Sequence, residues 1–244
     1  PSIASSVREA LLSRFLRYVA IDTESDPTST TYPSTEKQLD LLRLLRDELI
    51  EMGVPEVRLL EKGYVIAQIP ATPGYEDRPA IGLIAHADTS PDFTGRGVRP
   101  QIIEDYDGSP IALGDTAVLT AREFPELMEL LGHTLITTDG STLLGADDKA
   151  GVAEIMETVR YILAHPELPH GKICIGFTPD EEIGKGVDFF DVKAFGADFA
   201  FTVDGSREGE LEYENFNAAS ARVVAHGRSI HPGSAKGKMI NALE

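Results

Sequence analysis

Four apolar runs in this 244-residue chain end in histidine or carboxylate side chains, and that pattern restricts the fold more than any other feature. Ile81-Gly82-Leu83-Ile84-Ala85 leads into His86-Ala87-Asp88, and Leu143-Leu144-Gly145-Ala146 leads into Asp147-Asp148-Lys149. Ile173-Cys174-Ile175-Gly176-Phe177 leads into Thr178-Pro179-Asp180-Glu181-Glu182, and Phe199-Ala200-Phe201-Thr202-Val203 into Asp204-Gly205. Short apolar runs read as strands of a sheet covered on both faces. In an open α/β sheet, ligands bind just outside the carboxyl ends of the strands. The four tips are therefore expected to meet at one site. A histidine among carboxylates, with no cysteine, is a donor set for zinc or a similar divalent metal.

The charge balance excludes other classes. Against 40 Asp and Glu there are 22 Lys and Arg, a net charge of −18. That argues against a nucleic-acid partner, which needs clustered basic residues, and against an anionic membrane surface. It suits metal cations and positively charged small substrates, and it also serves solubility. No apolar run approaches the roughly 20 residues that span a bilayer. The single cysteine, Cys174, permits no internal disulfide and lies in an apolar run, as a buried inert thiol would. Cysteine usage of this kind fits a cytoplasmic location.

Helical signals flank these runs. Ser6-Val7-Arg8-Glu9 is a capping-box pattern, followed by Leu11, Leu12, Phe15, Leu16 and Val19 at helical spacing. Thr23 to Ser34 reads as a loop, and a second helix opens at Thr35-Glu36-Lys37-Gln38 with Leu39, Leu42, Leu45, Leu49 and Met52, ending at Gly53. Val65 to Ile69 and Ala80 to Ala85 are expected strands, and Ser90 to Thr116, rich in Gly, Pro and Asp, a long loop. Gly151 to Ala164 is a helix with Val152, Ile155, Met156, Val159, Ile162 and Leu163 on one face. After Asp204-Gly205 the pattern changes. Glu210 to Ala225 alternates like a solvent-facing strand, and the chain enters a helix at Asn241-Ala242-Leu243-Glu244. A first domain is expected over 1–210 and the start of a second over 211–244.

Each tip has a functional and a plain reading. His86 and Asp88, at i and i+2 on an extended segment, point the same way, so one can bind a metal that the other orients; a surface pair has the same pattern. Adjacent Glu181 and Glu182 diverge, so one can ligate metal while the other takes a proton from bound water; a solvated acidic turn also fits. Asp147 and Asp148 would equally cap a helix, and Asp204-Gly205 would equally make a turn. His133, His165, His170 and His226 lack a carboxylate at motif spacing and read as surface or capping residues, while His231-Pro232-Gly233 also fits a plain turn.

Together and in this order, these segments resemble the M20 family of co-catalytic zinc peptidases. Further carriers of the likeness are Glu212-Tyr213-Glu214-Asn215-Phe216-Asn217-Ala218-Ala219 and His231-Pro232-Gly233-Ser234-Ala235-Lys236-Gly237. The resemblance implies an α/β catalytic domain, a mixed and mostly parallel sheet flanked by helices, with the start of an α+β lid domain. It implies two Zn2+ ions per complete subunit. His86 and Asp204 would bind one, Glu182 the other, and Asp147 would bridge them. Asp88 would orient His86, Glu181 would be general base and acid, and His231 of the lid would stabilise the oxyanion, often across a homodimer. A further histidine ligand is expected beyond residue 244, which would leave the chain by itself a weak metal binder. The implied substrate is a small peptide, with removal of the N-terminal residue from tripeptides as the implied activity. A dipeptidase or an N-acyl amino acid deacylase of the same family, or a non-catalytic metal-binding module, stands as the alternative.

Overall fold

A computed structural model of the chain describes residues 5–115, 117–205, 207, 209–215 and 217–243. Thr116, Phe216 and Glu244, which close or lie within runs considered above, fall outside the described residues. The chain divides into two compact units, Pro1–Ser206 and Arg207–Glu244.

The first unit opens with helices α1 (Ser5–Val19) and α2 (Gln38–Glu51), then strands β1 (Glu56–Leu59), β2 (Val65–Ile69) and β3 (Ile81–His86). Short strands β4 (Pro100–Ile103), β5 (Ile111–Leu113), β6 (Ala117–Leu119) and β7 (Leu135–Thr138) follow. Helix α3 (Ala146–Ala164), strand β8 (Ile173–Thr178), helix α4 (Val192–Phe195) and strand β9 (Phe199–Thr202) complete it. Five strands form one sheet in the order β1-β2-β8-β3-β9. Strand β2 pairs antiparallel with β1 and β8, whereas β3 runs parallel to β8 and β9. The expected mixed α/β sheet flanked by helices is thus the architecture found, but it is not mostly parallel, since β1-β2 and β2-β8 are antiparallel and only β8-β3 and β3-β9 parallel.

Period-2 alternation sends the strand residues to two cores. Val65, Ala67, Ile69, Ile175 and Phe177 face a large core with the apolar sides of α1, α2 and α3. Ile66 and Cys174 face a smaller one with Tyr64 and Phe195. The strands carry glycine where this second layer comes close: a Cβ on Gly82 would lie 2.6 Å from Phe195 Cε1 and 2.7 Å from Ala200 Cβ. On α2 the buried stripe is Gln38, Leu41, Leu42, Leu45 and Leu49, a 3.6-residue period that takes in a polar residue, Gln38, and places Leu39 and Met52 at its margins.

The structure corrects several expectations. Residues 90–116 are not one irregular loop: β4 pairs with β7, and β5 with β6, around a small core of Tyr106, Ile111 and Leu127. Leu143 to Ala146 is not a strand but the approach to α3, which begins at Ala146, five residues before Gly151. Ser6 lies inside α1, which already includes Ser5, and does not precede it. In the second unit the described residues of 210–225 form no strand, because no neighbouring segment pairs with them, and 241–243 form a turn instead of a helix. Leu211, Tyr213, Val223 and Val224 are exposed. This unit's regular features are a 3-10 turn at Pro232–Ser234 and an isolated bridge between Arg228 and Ile240. Among the described residues no helix is long and apolar enough to cross a membrane.

Gly151 sets how closely α3 approaches the sheet. A Cβ there would lie 1.8 Å from the Val203 carbonyl oxygen and 2.4 Å from Asp148 Oδ1. Glycine to alanine inside a helix ordinarily stabilises by about 1 kcal/mol. Gly151→Ala is expected to do the reverse and destabilise by about 1–3 kcal/mol, since backbone must move to make room. Leu45→Ala, at a site with no solvent exposure, is expected to cost about 2–5 kcal/mol. Urea unfolding followed by circular dichroism measures both, and a Gly151→Ala variant as stable as the parent would contradict the close approach of α3.

Candidate metal centre

Parallel pairing brings three of the four tips together. His86 ends β3 in register with Thr178, the last residue of β8, and Ile84 is level with Thr202 of β9. Neighbouring strands lie about 4.8 Å apart, so His86, the Glu181–Glu182 turn and Asp204 emerge side by side. Asp147 and Asp148 arrive at the same place from the first turn of α3, where both have non-helical dihedrals.

His86 is 3% exposed, and its two ring nitrogens face different surroundings. Nδ1 lies 3.0 Å from the Asp88 carbonyl oxygen and 3.4 Å from its Oδ1. Nε2 faces the acids, 2.9 Å from Asp147 Oδ1, 3.7 Å from Asp204 Oδ2 and 3.8 Å from Glu181 Oε2. Among the described residues, two sets of potential ligand atoms lie within 4.8 Å of one another: His86, Asp147 and Glu182; and His86, Asp148 and Asp204. The sequence allows Asp148, like Asp147, either a place in the cluster or a helix cap. Here its Oδ1 does accept the Gly151 N–H at 3.1 Å, while Oδ2 accepts the His86 N–H at 3.2 Å.

Asp88 is wholly buried and does more than face the imidazole. Its Oδ1 accepts the Glu181 N–H at 2.9 Å and its Oδ2 the Glu182 N–H at 3.2 Å. One carboxylate thus joins the end of β3 to the turn after β8. Lys149, 1% exposed, donates to the Ile21 carbonyl at 2.6 Å. Nothing in the sequence distinguished Lys149 from a solvated lysine. In the second unit, His231 is exposed and caps its own turn, Nδ1 accepting the Gly233 N–H at 3.2 Å. His165 and His170 donate locally from Nδ1 to the Tyr161 and Gly171 carbonyls.

The electrostatics are those of a pocket short of positive charge. Burial raises the Asp148 carboxyl to about 8, with the Asp204 charge adding to it and His86 opposing. Burial also raises Glu181, Glu182 and Asp204, and for each the Asp147 charge adds to the effect. Burial works against a charged His86, but the hydrogen bond and charge of Asp88, with Asp148 and Asp204, outweigh it and lift the ring to about 10. Burial lowers Lys149 to about 8. One imidazole and several carboxylates, converging without a thiolate, fit a divalent cation of the zinc type, whose charge would relieve the mutual repulsion of the acids.

Similar proteins have longer chains. The chain is 59% identical over 236 residues to a peptidase T of Desulfitobacterium hafniense and 57% identical over 237 residues to one of Clostridium acetobutylicum. Each match covers 96% of this chain but only 57% and 58% of the relative, so the chain spans somewhat over half the length of these relatives. Among solved structures, the aminopeptidase PepT of Bacillus cereus superposes with a TM-score of 0.58 at 25% identity, over 82% of this chain and 44% of that one. No protein-family model matches.

The raised groups set the sign of a pH effect. Asp148 moves up from 3.8 and His86 from 6.5, so the folded, metal-free chain holds protons that the unfolded chain releases. The stability tied to protonated Asp148 is complete below about pH 4 and is lost as pH rises toward 8; that tied to His86 is complete below 6.5 and is lost toward 10. Lys149 stays protonated in both states below about 8 and does not offset this. The urea midpoint of the chelator-treated chain is therefore expected to fall between about pH 5 and 7.5. A midpoint that rises across that range would contradict the assigned environment of these groups.

Proposed function

We propose that the chain is part of a peptidase T, a reading supported by its 57% and 59% identity to such relatives, and that its site serves a metallo-aminopeptidase that removes the N-terminal residue from tripeptides. The observation that carries the reading is the gathering of acids around His86 in two sets, Asp147 with Glu182 and Asp148 with Asp204, with the Glu181 carboxylate 3.8 Å from its Nε2.

His86, Asp147, Glu182 and Asp204 would hold two zinc ions, which when bound supply polarisation of the scissile carbonyl and an acidified water. Asp88 keeps His86 and the Glu181–Glu182 turn in fixed relation, through its carbonyl at Nδ1 and its carboxylate at two N–H groups. Glu181 takes the proton of the attacking water and returns it to the leaving amine. Its raised carboxyl suits both roles, since a catalytic acid and base works best with a pKa near the operating pH. His231, in the unit read as the lid, would donate to the oxyanion of the tetrahedral intermediate. The surrounding acids favour a substrate with a free, charged amine. The lid as a dimerisation surface and a cytoplasmic location belong to the same proposal.

The test uses the full-length protein loaded with zinc and assayed on trialanine, a dipeptide and an N-acetyl amino acid. Glu181→Gln is expected to lower kcat on the tripeptide by about 10²–10⁴-fold while metal content by mass spectrometry stays unchanged. Turnover that survives the substitution would remove Glu181 from the mechanism. Preferred cleavage of the dipeptide or the N-acetyl amino acid would move the protein to another activity of the family.

A further inference from the structure

The Glu181–Glu182 turn is also held from a side that the mechanism does not use. Asp180, just before it, is wholly buried and has φ of 58°, in the left-handed region. A residue other than glycine keeps that conformation only where its surroundings enforce it. Ser34 and Gln38 are those surroundings. Ser34 donates its N–H to Asp180 Oδ2 at 2.7 Å and its hydroxyl to Oδ1. Gln38, which has no solvent exposure, grips Asp180 twice: Nε2 donates to Oδ1 at 2.7 Å, and Oε1 accepts the Asp180 N–H at 3.1 Å.

Beyond Asp180 the turn closes on itself. The Asp180 carbonyl accepts the Lys185 N–H at 2.9 Å, and the Glu181 carbonyl accepts the Gly184 N–H at 2.7 Å. Tyr32 donates its hydroxyl to the Lys185 carbonyl at 2.6 Å. A Cβ on Gly186 would lie 3.0 Å from Glu181 Cα, so that backbone backs the turn directly. The Glu181 side chain is exposed and extends from this clamped backbone. Its aim therefore depends on two anchors, Asp88 on its own N–H and Asp180 on the peptide before it.

We propose that Ser34, Gln38 and Asp180 are positioning residues for Glu181, which fix the direction of its carboxylate without touching the substrate; this rests on the reading of Glu181 as general base. It assigns a role to the Ser- and Thr-rich segment before α2 and to the polar residue on the buried face of that helix. A misplacement of about 1 Å far from the reacting atoms can cost about 10²-fold in rate.

The experiment compares Ser34→Ala, Gln38→Met and Ser34→Thr in the zinc-loaded full-length protein on trialanine. It also follows amide hydrogen exchange of residues 180–186 in the metal-free protein. Ser34→Ala and Gln38→Met are expected to lower kcat by about 10- to 10²-fold, with KM and zinc content unchanged and with faster exchange at 180–186. Ser34→Thr, which keeps the hydroxyl, restores the rate. Unchanged kcat in a variant that exchanges faster overturns the proposal, as does a loss of zinc in step with the loss of activity. If Ser34→Ala does not fold, Gln38→Met decides by the same measures. Glu181→Gln assayed alongside separates the two ideas: turnover retained there defeats the general-base reading, whereas turnover lost there but kept in Ser34→Ala defeats only the positioning role.

Discussion

The carboxylate of Asp88, buried at the end of β3, accepts the backbone N–H groups of both Glu181 and Glu182. Hydrogen bonds to a charged group are worth about 1.5–3 kcal/mol each, more than neutral ones. The bonds bind two turns that the chain separates by more than 90 residues. The parallel register of β3 and β8 brings those turns level, and Asp88 then fixes how they face each other. The imidazole of His86 rests on the same residue through the Asp88 carbonyl. Most of the site geometry follows from this one junction.

The same burial that makes the junction firm makes the acids around it costly. Asp148, Glu181, Glu182 and Asp204 are all raised by desolvation, so the folded chain carries a local electrostatic strain that a cation removes. Lys149, the buried cation nearest in sequence, donates to the Ile21 carbonyl. Close packing of α3 through Gly151 holds Asp148 against the end of β9, keeping the acids together despite their repulsion.

Much of the fold was legible because its signals are local. The short continuous apolar runs of β2, β3 and β8 and the 3.6-residue stripe of α3 depend on neighbouring residues alone. The clustering of His86, Glu182 and Asp204 was legible for a related reason: they follow parallel strands, whose ends lie side by side, whereas Asp147 arrives from the start of α3. What was missed depends on distant partners. Strands β4 to β7 are three or four residues long and pair across connections that their composition disguises as loop. The alternating stretch after residue 210 lacks a partner strand and forms none among its described residues. Gln38 reads in sequence only as part of a helix start, because its partner, Asp180, lies 142 positions away.

The sequence by itself determined an α/β sheet, the strand tips that carry chemistry, and a donor set of imidazole and carboxylates suited to a divalent metal. Those properties follow from residue type and spacing, which are written along the chain. Only the tertiary structure decided that Asp148 faces the site as well as Asp147, that Lys149 is buried, and that Asp88 ties the two main turns together. It alone decided that Asp180 is held in a left-handed conformation by Ser34 and Gln38. These are relations between residues far apart in sequence, and their physical basis is the burial of polar groups that must find partners wherever the fold brings them.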